Sequence, residues 1–445
     1  MFTVSTARSV YRSVLQLQFL LLILPVCNGF NVPQQILFSS RQLKQDSRSS
    51  LLAVTNPEST TTGVPSPPPR RTGFGQKVLD FALETPLWKH ILVPRARANI
   101  AKTAEANNVP WSSAKEWIQS KVNEETNPNP MKDLKPQDIP EYYRTSAFHA
   151  YEEGNLNWDA AWDVELASCA VGARNFPKYG SKGEEAFRGA FAQALKDAGA
   201  TIPSKGGVSI LDMGCGSGMS TRRIAQQFPQ ATKIVGMDLS PYFIAVGKRL
   251  LDLAPIESFH NGGPWVSTIV PDDRIEYQVG DVANTRFDDN TFDVVNLQFV
   301  LHELPTSAAF QVIDEAARVL KKDGGQFWIC EMDYESPYQA EVRANPLVFS
   351  LIRSTEPFLD DYAESIPQLL LYLQAKFDSI TVVAATGRHF ALVATLNGQS
   401  ESEDEEGNKK QGIMTDLRFN DDGTYRLKDT HLRAWESKDE GALNA

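Results

Sequence analysis

Apolar and polar positions alternate along this chain in two periods, and their order predicts a fold. Val208 to Met213 is a short apolar run carrying one acid, Asp212. Gly214, Gly216 and Gly218 follow at every second position. A helical pattern then begins, with Ile224, Ala225 and Phe228 on one face. Strand, glycine turn and helix together form the opening unit of a doubly wound α/β domain. Three later segments read as buried strands: Lys233 to Leu239 (KIVGMDL), Ile275 to Val282 (IEYQVGDV) and Phe292 to Phe299 (FDVVNLQF). Glu315 to Leu320 is helical and leads through a Lys-Lys-Asp-Gly-Gly turn into a fifth strand, QFWICEMD. Ser379 to Ala385 and His389 to Leu396 predict a closing antiparallel hairpin that turns at Thr386-Gly387.

The flanks read differently. Residues 73–200 are mainly helical, broken by the Pro/Asn-rich stretch NPNPMKDLKPQDIP, with helices around Trp158 to Val171 and Glu184 to Ala198. This region predicts a helical cap over the ligand face of a domain spanning 201–397. Leu347 to Leu359 and Ile366 to Phe377 predict two more helices. Residues 398–445 open with a charged low-complexity linker, and the last 30 residues predict a disordered or loosely docked tail. At the other end, residues 1–29 carry Arg8 and Arg12, an apolar core from Val14 to Leu24, and the small residues Cys27 and Gly29 before Phe30. That is the pattern of a signal peptide, too short to span a bilayer. Residues 30–72 are Ser/Thr-rich and basic, which is transit-peptide composition. The two-part leader with Phe30 at its junction resembles the plastid presequence of algae with complex plastids. The expectation is plastid delivery, with plain secretion as the alternative and no membrane-spanning run after Phe30.

The strand ends carry the candidate ligand chemistry. Glycines in the turn let backbone approach a ligand, and the helix N-terminus behind them favours an electronegative group. Dinucleotide folds use G-x-G-x-x-G, whereas this chain has G-x-G-x-G preceded by Asp212. Asp238 ends the second strand 20 residues past Gly218, a position suited to a ribose diol. Asp281 ends the third, a position suited to an adenine amino group.

LDMGCGSG, GMDLSP, GDV, FDVVNLQFVLHEL and EAARVLKKDGG, in this order, resemble the motifs of class I S-adenosylmethionine-dependent methyltransferases. Within that class they are similar to the branch holding the ubiquinone/menaquinone-type C-methyltransferases. The resemblance covers roughly residues 200–397. YYRTSAFHAYEEGNLNWDAAWDVELAS from Tyr142 and STEPFLDDY from Ser354 also resemble plastid methyltransferase-like proteins of plants and algae. The resemblance implies a Rossmann-like methyltransferase sheet with a reversed last strand, and S-adenosylmethionine as cofactor. It assigns Asp212, Gly214, Cys215, Gly216, Gly218, Asp238, Leu239, Asp281, Val282, Asn296 and Gln298 to the donor site. The function expected is methyl transfer to a small-molecule acceptor, such as a quinone, lipid or other plastid metabolite. The alternative is a donor-binding scaffold without catalysis. An NAD-dependent dehydrogenase is disfavoured by the glycine spacing and the GDV element.

Composition and candidate chemistry narrow the acceptor. A formal net charge of -11 argues against nucleic acid, which needs a basic surface. The fourth strand ends NLQF and lacks the N-P-P-aromatic tetrapeptide of amino methyltransferases, which favours a small molecule. Cys27, Cys169, Cys215 and Cys330 show no C-x-x-C pairing and read as apolar filler. Methyl transfer from a sulfonium needs a placed nucleophile, and a base only if that nucleophile is protonated. His302 and Glu303, just past the fourth strand, are the candidates: His302 as base or packing residue, Glu303 as its orienter or a contact for the donor's amino group. Glu331 and Asp333, after the fifth strand, are further candidates. In the cap, Tyr142, Tyr143, Phe148, His149, Tyr151 and Trp158 are read as either an acceptor pocket or a subdomain core, with His149 as a second base. No carboxylate–histidine cluster with ligand spacing is visible, so no metal is expected.

Overall fold

The computed structural model describes residues 93–253, 272–398, 412–419 and 425–427, apart from short interruptions at 133, 136–137, 147, 150, 152, 204–205, 346–348, 350–351 and 354. The leader, with its signal and transit readings, lies outside the described residues, as does the helix expected at 74–92.

Among the described residues an eight-stranded sheet is built from β1 (Val208–Met213), β2 (Ala231–Asp238), β3 (Ile275–Val279), β4 (Val294–Gln298), β5 (Asp323–Met332), β6 (Ser379–Ala384), β7 (His389–Asn397) and β8 (Ile413–Thr415). Its order is β3-β2-β1-β4-β5-β7-β6-β8. The first five strands are parallel, and β7 runs antiparallel to both β5 and β6. This is the doubly wound sheet with a reversed last strand that the apolar pattern predicts, with β8 added beyond it.

Side chains alternate across each strand and so feed two cores. Val208 and Ile210 of β1, Val294 of β4 and Trp328 and Cys330 of β5 face one side. There they pack under α5 (Gly183–Asp197) and α6 (Met219–Gln227), through Phe187, Phe191, Leu195 and Ile224. Leu211, Met213, Val295, Leu297, Phe327 and Ile329 face the other side, under α8 (Thr306–Val319) and α10 (Leu359–Lys376). α5 therefore belongs to the helical layer on the sheet, although its sequence was expected to lie in the cap.

The cap proper comprises α1 (Val93–Ala106), α2 (Trp111–Lys121), α3 (Glu141–Thr145) and α4 (Trp158–Asn175). Asn157 caps α4, its side-chain oxygen accepting from the Ala160 N–H at 2.8 Å. Trp158, Ala161 and Leu166 of α4 pack with Phe243, Val246 and Leu250 of α7 (Pro241–Leu253). A short helix, α9 (Pro337–Ala344), follows β5. No helix among the described residues is long and apolar enough to cross a membrane.

Short pieces of the tail are docked, while most of residues 398–445 lie outside the described residues. β8 pairs in parallel with β6, and β9 (Leu417–Phe419) pairs antiparallel with β10 (Tyr425–Leu427). Leu417, Tyr425 and Leu427 are buried in the same core as α8 and α10. The Tyr425 hydroxyl donates to Asp333 Oδ1 at 3.0 Å, which ties the tail to the end of β5. These strands are only three residues long, too short for a periodic signal, and core packing decides their conformation instead. Tyr425→Ala is expected to cost about 3–5 kcal/mol of stability, the range for deleting a buried aromatic. Denaturant unfolding measures it, and a change within about 0.5 kcal/mol would be the signature of a surface tail.

Candidate active site

The site lies at the C-terminal ends of β1 to β5, where the chain turns from strand into loop. The glycine loop after β1 is shaped by backbone that only glycine adopts easily. Gly214 has φ +67° and a Cβ there would lie 2.4 Å from Val300. Gly218, at φ +91°, would place a Cβ 1.9 Å from the Tyr277 hydroxyl. The N–H groups of Gly214 and Cys215 both donate to Met237 O, at 2.8 and 3.0 Å, which locks the loop onto β2. Cys215 is buried, and burial pushes its thiol well up, away from the reactive thiolate.

Asp238 ends β2 and is buried. Its Oδ1 accepts from the Ser240 N–H at 2.8 Å and its Oδ2 from the Gly216 N–H at 2.9 Å. Each oxygen keeps a further lone pair, enough for two hydroxyls of a diol. Burial, opposed by those two N–H groups, lifts its pKa to about 6. Asp281, past β3, accepts from the Ala283 N–H at 2.9 Å and is half-buried, which also raises its pKa. Its neighbours Val282 and, after β2, Leu239 are buried, with Leu239 under Tyr143 and Phe148 of the cap.

Three residues assigned to the donor turn inward instead. Asp212 is fully buried and accepts from Ser220 Oγ (2.7 Å), Thr221 Oγ1 (2.6 Å) and Asn296 Nδ2 (2.6 Å). Burial raises its pKa despite these donors. Gln298 donates to Asn296 Oδ1 at 3.1 Å and accepts from Arg188 of α5 at 2.6 Å. Arg188, which sequence reasoning missed, thus anchors a polar chain from α5 through β4 to β1.

His302 sits in a 3₁₀ turn after β4, buried beside Tyr362. Its Nδ1 lies 2.8 Å from Oε1 of Glu331, which is fully buried. Burial alone would drive off the imidazole proton, but Glu331 outweighs it and raises the pKa to about 9. At neutral pH His302 is therefore a paired cation, and this arrangement does not supply the neutral base that its position suggested. Asp333, the other late candidate, is engaged by Tyr425.

The cap aromatics divide. Tyr143 and Phe148 are buried over Leu239, and half-buried Tyr142 meets Phe358 edge to face. Tyr151 and Trp158 belong to the cap's own core: Tyr151 bonds Asp163, and Trp158 stacks on Trp162 at 5.8 Å. His149, at φ +52°, is exposed, and its Nε2 lies 3.3 Å from Glu303 Oε1 and 3.7 Å from Glu356 Oε1. The carboxylates of Glu356 and Glu303 raise the His149 pKa. Glu356 was missed because it stands 53 positions beyond Glu303, with no local motif to flag it. The expectation of no carboxylate–histidine cluster is thus overtaken by a contact that only folding creates.

Two outcomes follow from the geometry. His302→Ala leaves Glu331 buried without its cation, so it is expected to cost about 3–5 kcal/mol in denaturant unfolding. A loss below about 1 kcal/mol would contradict the pairing. For Asp238, whose folded pKa lies above its ordinary value of 3.8, the ionised form is disfavoured by folding, and protonation near pH 6 relieves that penalty. A ribose diol needs the ionised acceptor, so affinity for S-adenosylmethionine is expected to fall as pH drops below about 6. Calorimetry between pH 5 and pH 8 tests this, with Asp238→Asn expected to be weak and flat across the range.

Residues 211–328 match a family model described as a methyltransferase domain. Over 143 residues the chain is 29% identical to a demethylmenaquinone methyltransferase of Symbiobacterium thermophilum, covering 32% of this chain and 49% of that protein. Over 118 residues it is 30% identical to a ubiquinone/menaquinone biosynthesis C-methyltransferase of Geotalea uraniireducens, covering 26% of this chain and 43% of the relative. The match thus spans less than half the length of these relatives. A crystal structure of a SAM-dependent methyltransferase from Aquifex aeolicus aligns with TM-score 0.30 and 16% identity, covering 50% of this chain and 97% of that one. The stretch matched to a methyltransferase domain, residues 211–328, contains the glycine loop, Asp238 and Asp281.

Proposed function

We propose that this chain transfers the methyl group of S-adenosylmethionine to a small-molecule acceptor, with a quinol-type ring as the first class to test. The observation that carries the donor half is the pairing of the glycine loop with Asp238. The Gly216 N–H of the loop and the Ser240 N–H after β2 hold the carboxylate with acceptor capacity to spare. The acceptor half rests on the relatives, whose names are those of quinone C-methyltransferases.

Because the sulfonium donor is already activated, the protein's main tasks are to align the acceptor behind the methyl group and to keep water out. Tyr143 and Phe148 provide an apolar roof over the β2 end. His302 is suited to stabilising negative charge on an acceptor oxygen, since it carries its proton at neutral pH.

The test is incubation of the full chain with methyl-labelled S-adenosylmethionine and a demethylated quinol in detergent. Label is expected in the organic phase, with a large loss in Asp238→Asn. A chain that binds the donor yet labels neither quinols nor a crude lipid and metabolite extract would defeat this reading and leave the scaffold alternative.

A further inference from the structure

His149, Glu303 and Glu356 come from three separate places: the loop after α3, the turn after β4 and the segment before α10. Their side chains offer one nitrogen and two oxygens that all lie within 4.8 Å of one another. Nothing in the donor site or the methyl transfer uses this convergence. We propose that these three residues bind a divalent transition cation, with Zn2+ and Mn2+ as the probes.

Geometry comes first. His149 Nε2 is 3.3 Å from Glu303 Oε1 and 3.7 Å from Glu356 Oε1. Metal–ligand bonds of about 2.0–2.2 Å separate neighbouring ligand atoms by roughly 3.0–3.6 Å, close to both His149 distances, and the two carboxylate oxygens lie within 4.8 Å of each other. The other ring nitrogen, Nδ1, lies 3.2 Å from Asn155 Oδ1. That oxygen can only accept, so Nδ1 carries hydrogen and Nε2 is the nitrogen turned to the carboxylates. This is the outer support that metal-bound histidines commonly have.

Charge and satisfaction agree with the geometry. A neutral imidazole with two carboxylates carries -2, and a proton on Nε2 reduces that only to -1. A divalent cation brings the group to zero. Glu356 Oε2 is also shut off from solvent and has no hydrogen-bond partner, and an unmatched buried acceptor is costly. A cation held by both oxygens of the Glu356 carboxylate would match that second oxygen as well. Imidazole in the donor set favours Zn2+ over Ca2+ or Mg2+, and the two carboxylates suit Mn2+ as well. An oxygen ligand of an acceptor completing the sphere would become more acidic there.

The experiment uses the full chain, stripped with chelator and dialysed against Zn2+ or Mn2+, with elemental analysis and with Co2+ visible absorption as a second readout. One ion per chain is expected in the wild type. Affinity is expected to weaken by more than about tenfold in His149→Ala and in the near-isosteric Glu356→Gln, with the Co2+ bands lost. Thermal melting confirms that the variants fold. A wild-type chain that takes up no ion overturns the proposal whatever the variants do. So does uptake that both folded variants retain unchanged. Binding is read without any methyl acceptor, so failure of the quinol reading and failure of this site are separate results.

Discussion

A carboxylate with no access to water holds the centre of this domain together. Asp212 stands at the end of β1, and burying such a group is expensive unless its oxygens are matched. Here Ser220 and Thr221 bring the start of α6 to it, and Asn296 brings β4. Asn296 is also its register partner in the β1–β4 pair. One acid therefore fixes where the first helix begins, and so where the glycine loop runs. That loop in turn presents the N–H of Gly216 to Asp238. Asp238 is aimed by backbone that the hidden acid has already positioned.

This arrangement explains what the sequence could and could not disclose. The strands were legible because period-two alternation matches real two-sided burial: Ile210 faces one core and Leu211 the other. The positions of Asp238 and Asp281 at strand ends were legible for the same reason. Which polar residues near those ends face a ligand was not. Asp212, Asn296 and Gln298 have the right location, but the parity of their strands turns them toward α6, toward each other and toward Arg188. That last partner lies 110 positions away from Gln298, and no spacing rule reaches so far. The first helix after the cap was misplaced for a related reason. An amphipathic stripe shows that α5 buries one face, not whether cap or sheet receives it.

The second layer of polar chemistry, past β4 and β5, is built from opposite charges. His302 meets Glu331, and His149 meets Glu303 and Glu356. Sequence position alone made both histidines candidate bases. Neighbouring carboxylates reverse that expectation, since a paired imidazolium gives up its proton reluctantly. The carboxylates outnumber the imidazoles in this region, and His302 and Glu331 are buried. Local excess negative charge in a sheltered place is a constraint on whatever enters, because an anionic guest would meet repulsion that solvent does little to screen.

The tail has a consequence for the order in which the protein is made. Tyr425 reaches Asp333, 92 positions away, and Leu417 and Leu427 complete the core under β6. Contacts so distant in sequence close late and slow the final consolidation of a sheet. A nascent chain that has emerged only as far as β7 still shows the apolar flank these residues cover, together with the open edge of β6. Until the last strands arrive, that edge is available to any other extended chain nearby. The domain protects itself only once residues 413–427 have joined it.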